Sequence, residues 1–255
     1  MVMRLLFAGL AIFAAAGAQS IRVIPFADGK PFQMGKVTSR RIIHPDLGAK
    51  HLTLNYSVSQ AGSEFSQHVH DHSDDTILLL QGEVDLRQGD VRKPFRTGQC
   101  AFVPAGQIHG TITTGPGDNI MISFQTPPDL VLYTGARDSS KPGAAPPKGV
   151  ITPGAVKFVD FASKDGFFTH PGMGSKRAAA AHRRLKRGVS FQTDVAAGGE
   201  QLLFVWQGAI QVKHDTQTYA AGEKDTAFIS GPAQLQVVGA AGQETIVIQV
   251  QAPPR

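Results

Sequence analysis

The sequence predicts an all-β protein built from two similar halves. Short runs rich in β-branched and apolar residues, such as His51–Val58 and Leu202–Trp206, are separated by Gly, Asp and Pro along the chain. Closely spaced strands of this length are typical of β-sandwiches and β-barrels. Ala178–Leu185 has the composition of a short helix, but its place in the repeat described next favours a strand.

An internal repeat relates the two halves at a constant offset of 126 positions. Gly62 aligns with Gly188, and Phe65 aligns with Phe191. Because the offset holds without a gap from Gly62 to Pro128, it indicates duplication of a structural unit. Three longer matches lie at the same offset: Gln81–Gly82 with Gln207–Gly208, Ala101–Val103 with Ala227–Ile229, and Gln125–Pro128 with Gln251–Pro254.

A segment rich in Pro, Gly, Ala and Ser separates the halves at residues 137–153. This composition is typical of a linker with polyproline character. The predicted domains are therefore an N-terminal barrel over residues 19–136 and a C-terminal barrel over residues 154–255.

The first eighteen residues have the layout of a secretory signal peptide. Arg4 is followed by the apolar run Leu5–Ala15 and by small residues up to Ala18. We expect cleavage after Ala18 and a periplasmic or secreted protein, with no membrane association after cleavage. A retained N-terminal anchor is the alternative.

The chain is basic, with 25 Lys and Arg residues against 20 Asp and Glu residues. In an exported protein this excess does not indicate a nucleic-acid partner, and we expect a solvated strand face, with weak attraction to anionic ligands or surfaces as the alternative. Cys100 is the only cysteine, so no intramolecular disulfide exists. Most of the excess charge lies in one group of residues: Lys176, Arg177, Arg183, Arg184, Lys186 and Arg187.

Three histidines and one aspartate in the first repeat have the spacing of a metal site. On a strand, residues i and i+2 share a face, so His68 and His70 can direct their imidazoles to one point. Asp75 begins the next predicted strand, and His109 follows a Pro-Ala-Gly turn. Three imidazoles and one carboxylate suit a divalent Mn, Fe, Co, Ni, Cu or Zn ion, with room left for water or substrate.

Two alternatives remain open at this point. His72 lies two residues beyond His70 and is the alternate ligand if the short side chain of Asp75 does not reach the metal; Asp74 is a weaker candidate. His68, His70 and His72 by themselves also fit surface histidines in a polar loop. The spacing Pro104-x-Gly106-x2-His109 favours the metal site.

These motifs resemble the two sequence motifs of the cupin superfamily. They read Gly62-x5-His68-x-His70-x4-Asp75-x6-Gly82 and Gly98-x5-Pro104-x-Gly106-x2-His109-x3-Thr113. The chain departs from the family at Asp75, where cupins usually have Glu, and at Thr113, where Asn is frequent. With the repeat, the resemblance implies a bicupin of two tandem double-stranded β-helix (jelly-roll) barrels.

The second repeat lacks the metal-ligating residues. At the constant offset, Asp194, Ala196, Gln201 and Leu235 replace His68, His70, Asp75 and His109. We therefore expect one divalent transition metal per chain, held in the N-terminal barrel, and a C-terminal barrel without metal.

The resemblance implies a small-molecule substrate and an oxidoreductase similar to the bicupin quercetin dioxygenases, with Asp75 as fourth ligand or as acid/base. Two alternatives remain: a metal-dependent isomerase, hydrolase or decarboxylase, and a non-catalytic small-molecule or carbohydrate binding protein. Self-association into a homo-oligomer is common among cupins. The expected inward-facing residues around the metal are Ile77, Leu79, Phe102 and Thr111.

Overall fold

The computed structural model describes residues 19–186, 188–240, 242 and 244–254. The predicted signal peptide, residues 1–18, lies outside the described residues. Within the described residues, four short 3-10 turns interrupt what is otherwise strand and loop: Phe26–Asp28, Pro45–Leu47, Leu132–Thr134 and Pro171–Met173. Within the described part of the chain, no helix has the length and apolar character needed to span a membrane.

Among the described residues, the first half contributes eleven strands and the second half ten. Those of the first half are β1 (Ser20–Ile24), β2 (Lys30–Met34), β3 (Val37–Ile43), β4 (Leu54–Ser59), β5 (Glu64–His68), β6 (Asp74–Gln81), β7 (Glu83–Gln88), β8 (Val91–Arg96), β9 (Gln99–Val103), β10 (His109–Thr113) and β11 (Asn119–Thr126). Those of the second half are β12 (Lys157–Asp160), β13 (Gly166–Thr169), β14 (Ala179–Leu185), β15 (Ser190–Val195), β16 (Glu200–Gln207), β17 (Ile210–His214), β18 (Gln217–Ala221), β19 (Thr226–Ser230), β20 (Ala233–Gly239) and β21 (Thr245–Ala252).

The predicted all-β fold is confirmed, and the strands repeat at the offset read from the sequence. β16 begins and ends 126 residues after β6, and β21 stands in the same relation to β11. The strand at Ala179–Leu185 also agrees with the repeat register. Each half forms an antiparallel barrel from one large sheet and one four-stranded sheet, which is the double-stranded β-helix architecture.

The large sheets exchange a strand between the halves. One sheet has the order β12-β9-β6-β11-β4-β3-β2, and the other has the order β1-β19-β16-β21-β14-β13. β12 thus extends the sheet of the first barrel, and β1 extends the sheet of the second. Each large sheet therefore contains one strand from outside the residue range predicted for its barrel. At these edges the added strand supplies backbone hydrogen bonds to a strand that would otherwise be unpaired on that side.

The segment at residues 137–153 lies along the first barrel, although its composition is typical of a linker. Asp138 accepts hydrogen bonds from Ser66 Oγ at 2.7 Å and from the Gly35 amide at 3.2 Å. Ser139 Oγ donates to the Gln67 carbonyl at 2.6 Å. These polar contacts attach the segment to the strand that carries His68.

An apolar layer fills the space between the two large sheets. Strand alternation divides β6 between this layer and the interior of the first barrel: Leu78 and Leu80 enter the layer, whereas Ile77 and Leu79 face inward. Phe102 lies on the same side of β9 as Cys100, which belongs to the layer, and not in the barrel interior as expected from the sequence. A separate apolar core fills the second barrel.

One acidic residue from each half also joins the barrels. Asp74 Oδ1 accepts a hydrogen bond from Arg177 at 2.8 Å. Glu200, its counterpart in the repeat, is 1% exposed and accepts hydrogen bonds from three consecutive backbone amides of the first half. The donors are Lys50 at 2.6 Å, His51 at 2.9 Å and Leu52 at 3.0 Å.

We predict that Glu200→Ala lowers the free energy of unfolding by about 3 kcal/mol, because one buried and two partly buried amides lose their acceptor. Urea denaturation measures the change. The exposed Glu223 is the matched control, and Glu223→Ala should leave stability unchanged. Equal stability of the two variants would show that the Glu200 contacts contribute nothing to the union of the barrels.

Candidate metal centre

The four residues predicted to bind metal lie together in the first barrel. His68 ends β5, His70 follows that strand, Asp75 lies near the start of β6, and His109 begins β10. All four side chains are buried, and one ligand atom from each lies within 4.8 Å of every other. His109 and His68 are directly paired across β10 and β5, which fixes their common direction.

The distances between the ligand atoms suit one shared cation. The Nε2 atoms of His68 and His70 are 3.1 Å apart. Asp75 Oδ2 lies 3.4 Å from His109 Nε2 and 3.6 Å from His70 Nε2. Ligand atoms that share a metal at about 2.0–2.2 Å stand roughly 3–4 Å apart, so the arrangement fits a divalent transition metal.

Each imidazole is held from its far side by an oxygen atom. His68 Nδ1 donates to the Ser66 carbonyl at 2.9 Å, and His109 Nδ1 donates to the Gln107 carbonyl at 3.0 Å. His70 Nδ1 donates to the Asp129 carboxylate at 2.7 Å. Because these contacts occupy all three Nδ1 atoms, the Nε2 atoms face the common centre, as in metal sites supported by outer hydrogen bonds.

Asp129 is a supporting residue that the sequence did not reveal. It lies 7% exposed just after β11 and also accepts a hydrogen bond from Arg137 Nε at 3.2 Å. Arg137 in turn pairs with Asp71 at 2.9 Å. The counterpart of Asp129 in the repeat is Arg255, so the duplication gave no signal for this carboxylate.

The alternate ligand His72 is exposed and lies outside the group of converging side chains. Asp74, the weaker candidate, is engaged elsewhere, since its Oδ1 accepts from the Ala105 amide at 3.0 Å and from Arg177. Asp75 reaches the centre despite its short side chain, because β6 begins next to it. One of its oxygens, Oδ1, is buried without a hydrogen-bond partner among the described residues.

The buried charges shift the pKa values of the group in opposite directions. Burial and the neighbouring imidazoles hold the pKa of His68 well below its usual value. Burial also opposes the charged form of His70, but hydrogen bonds to Asp129 and Asp75 outweigh it and raise the pKa of His70 to about 9. Burial raises the pKa of Asp75, yet hydrogen bonds to His109 and His70 dominate and place it below its usual range. Without metal, the site therefore holds protonated His70 beside ionised Asp75.

A cavity of about 30 Å³ adjoins the cluster. This volume holds one or two water molecules or the chelating end of a small ligand. Ile77 and Thr111, both expected from the sequence, line it. Leu79 packs in the barrel core instead. The remaining apolar wall comes from Phe65, Met121 and Ile122, and the polar wall from Ser57, Ser123 and Gln125.

We predict that metal binding at pH 6–8 displaces the proton of His70. Since the pKa of His70 is about 9 without metal, the apparent affinity should rise about tenfold per pH unit in this range. Calorimetry in buffers of different ionisation enthalpy measures the proton released. Asp129→Asn removes the charge that raises this pKa, so proton release should fall. Equal proton release in both proteins would contradict the role given to Asp129.

Comparisons with known proteins agree with this architecture. Residues 56–124, which include all four candidate ligands, match the family described as the cupin domain. The chain is similar to Protein SchB of Streptomyces halstedii, at 26% identity over 139 residues, covering 52% of this chain and 98% of that protein.

Solved structures share the fold over nearly the whole chain. A bacterial pirin from Escherichia coli, YhhW, in complex with nickel(II), matches with a TM-score of 0.69 at 14% identity. The match covers 92% of this chain and 100% of the pirin chain. An oxalate decarboxylase from Bacillus subtilis has a TM-score of 0.69 at 12% identity, and the match covers 91% of this chain and 77% of the decarboxylase. AerE from Microcystis aeruginosa has a TM-score of 0.63 at 13% identity, and the match covers 88% of this chain and 96% of AerE. Residues 56–124 thus match a cupin domain around the cluster, and the chain as a whole has the fold of two tandem cupin-type barrels.

Proposed function

We propose that the protein is a metal-dependent oxidoreductase that oxidises a small organic molecule with dioxygen in its first barrel. The observation that supports this most directly is the convergence of His68, His70, His109 and Asp75 beside a cavity with apolar walls. A divalent metal held by these residues supplies a Lewis acid and, if the ion is redox-active, a centre for electron transfer. The similarity of the motifs to those of bicupin quercetin dioxygenases favours oxidation.

The residues around the centre suit an anionic, oxygen-donating substrate. Three neutral imidazoles and one carboxylate would leave a net positive charge on a divalent ion, and this charge would suit a carboxylate or an enolate as substrate. The low pKa of Asp75, set by its histidine neighbours against the effect of burial, keeps it ionised. Asp75 is therefore better suited to the role of fourth ligand than to that of proton carrier.

The cavity limits the part of the substrate that reaches the centre. A volume of about 30 Å³ admits a chelating group but not a whole aromatic ring system. A wider groove of about 360 Å³, which His68 also lines, lies between Asp71 and the 137–153 segment. Arg137 in its lining already pairs with Asp71 and Asp129, so Lys148 is the cation that we assign to the remainder of an anionic substrate.

A second candidate function is the decarboxylation of a small carboxylic acid. The small cavity beside the cluster favours a compact substrate, and the oxalate decarboxylase shares the fold. The two candidates differ in the products and in the need for dioxygen. A binding protein without turnover is the third outcome of the same experiment.

We also propose that the protein is exported after loss of residues 1–18. The first described strand, β1, begins at Ser20, so cleavage after Ala18 leaves it complete. Amino-terminal sequencing of the protein from an extracytoplasmic fraction tests this: a first residue of Gln19 supports it, and an intact Met1 contradicts it.

We predict one divalent ion per chain in protein purified without a histidine tag. His109→Ala should bring the metal content close to zero, because His109 directly faces His68 and Asp75. His72→Ala is the matched control and should retain the full content, since His72 is exposed outside the cluster. Elemental analysis provides the measurement; two ions per chain, or an unchanged content in His109→Ala, would refute the site.

Activity is measured with small hydroxy and dicarboxylic acids in the presence of dioxygen and under strict anaerobiosis. Oxidation predicts oxygen uptake that His109→Ala abolishes and His72→Ala preserves. Release of carbon dioxide without oxygen uptake would instead establish the decarboxylase. Ligand-induced thermal stabilisation without turnover would leave a binding protein.

A further inference from the structure

An arginine lies inside the second barrel, where the sequence predicts a solvated strand face. Arg183 lies on β14, on the same face as Ala181 and Leu185. In the pairing of β14 with β21, Arg183 is opposite Val247. Leu185 and Val247 both belong to the interior core of this barrel. Arg183 therefore points towards the interior, and its neighbour Arg184 is exposed on the other face.

The guanidinium group of Arg183 lies between two phenylalanine rings. Its Cζ atom is 5.2 Å from the ring centroid of Phe167 and 5.1 Å from that of Phe191. Its Nε donates to Gln249 Oε1 at 2.9 Å. Among the described residues no carboxylate lies within 4.0 Å of this cation, and Asp165 acts on it only from a longer distance. A half-buried guanidinium without a direct ion pair is unusual, because arginine is rarely removed from water unless its charge is paired.

A buried amide network continues from the arginine into the barrel. Gln249 Nε2 donates to Gln201 Oε1 at 3.1 Å, and Thr193 Oγ1 donates to the same oxygen at 2.9 Å. Gln201 is fully buried, and its Nε2 has no hydrogen-bond partner among the described residues. A buried donor of this kind costs about 1–3 kcal/mol when it stays unpaired. The network therefore contains an unpaired donor, Gln201 Nε2, which is linked to the guanidinium through Gln249.

The repeat shows that these residues occupy the positions of the metal-site cavity in the first barrel. Arg183, Phe191, Gln201 and Gln249 correspond at the offset of 126 to Ser57, Phe65, Asp75 and Ser123, which all line that cavity. The carboxylate of the first barrel is replaced by an amide, and a serine is replaced by a guanidinium. At these positions the first barrel carries a negative charge, which suits a bound cation, whereas the second barrel carries a positive charge, which suits a bound anion.

From this arrangement we propose that the second barrel binds a small organic carboxylate at its Arg183 end. The terminal nitrogens of Arg183 pair with the carboxylate, since a planar fork matches a carboxylate with two parallel hydrogen bonds. Gln201 Nε2 is the further donor. Phe167 is 51% exposed and gives the flat apolar part of the ligand a surface to lie on.

The test uses benzoate as the anionic probe and benzamide as its uncharged counterpart, with calorimetric titration of the full protein. We expect one benzoate per chain, bound at least tenfold more tightly than benzamide. Arg183→Met should weaken benzoate at least tenfold. Arg184→Met is the matched control, because Arg184 is exposed and pairs with Glu244 at 3.2 Å; it should bind as the unchanged protein does.

The first barrel is a competing location for a carboxylate, and His109→Ala separates the two. Benzoate binding that survives His109→Ala and is lost in Arg183→Met supports the proposal. Binding that is lost in His109→Ala and kept in Arg183→Met overturns it, and so does an absence of binding at millimolar benzoate. If Arg183→Met does not fold, Arg183→Lys replaces it in the test, because lysine keeps the charge but cannot form two parallel hydrogen bonds. Undiminished benzoate affinity in Arg183→Lys overturns the proposal that the guanidinium pairs with the carboxylate.

Discussion

The alternation of side chains along β6 is the constraint on which the rest of the structure depends. Leu78 and Leu80 enter the apolar layer between the two large sheets, so Ile77 and Asp75 must point into the first barrel. A shift of one residue would bury Asp75 between the barrels and expose the leucines to the metal cavity. The second barrel therefore fixes the direction of a ligand in the first, although it contributes no ligand itself.

The two barrels use the same framework for opposite charges. At one end of the first barrel, three imidazoles and a carboxylate converge with all three Nδ1 atoms already engaged. At the equivalent end of the second, Gln201, Gln249 and Arg183 form a hydrogen-bonded network with no carboxylate in direct contact with the guanidinium among the described residues. Duplication preserved the strands that bring these positions together, while the side chains at those positions diverged.

The loss of the metal ligands from the second half does not make it a passive scaffold. Glu200 and Asp74, equivalent positions in the repeat, each accept hydrogen bonds from the other half. β1 and β12 are exchanged between the sheets. Each large sheet thus includes one strand from the other side of the 137–153 segment.

The sequence alone determined the duplicated β architecture and the four candidate ligands, because strand alternation and a constant offset are local properties of the chain. It left open the choice between Asp75 and His72, which the burial of one and the exposure of the other distinguish. Only the tertiary structure brought Asp129 to His70, exchanged β1 with β12 and turned Arg183 inward. Each of these depends on contacts between residues far apart in the chain, and composition and spacing carry no information about which distant segments meet.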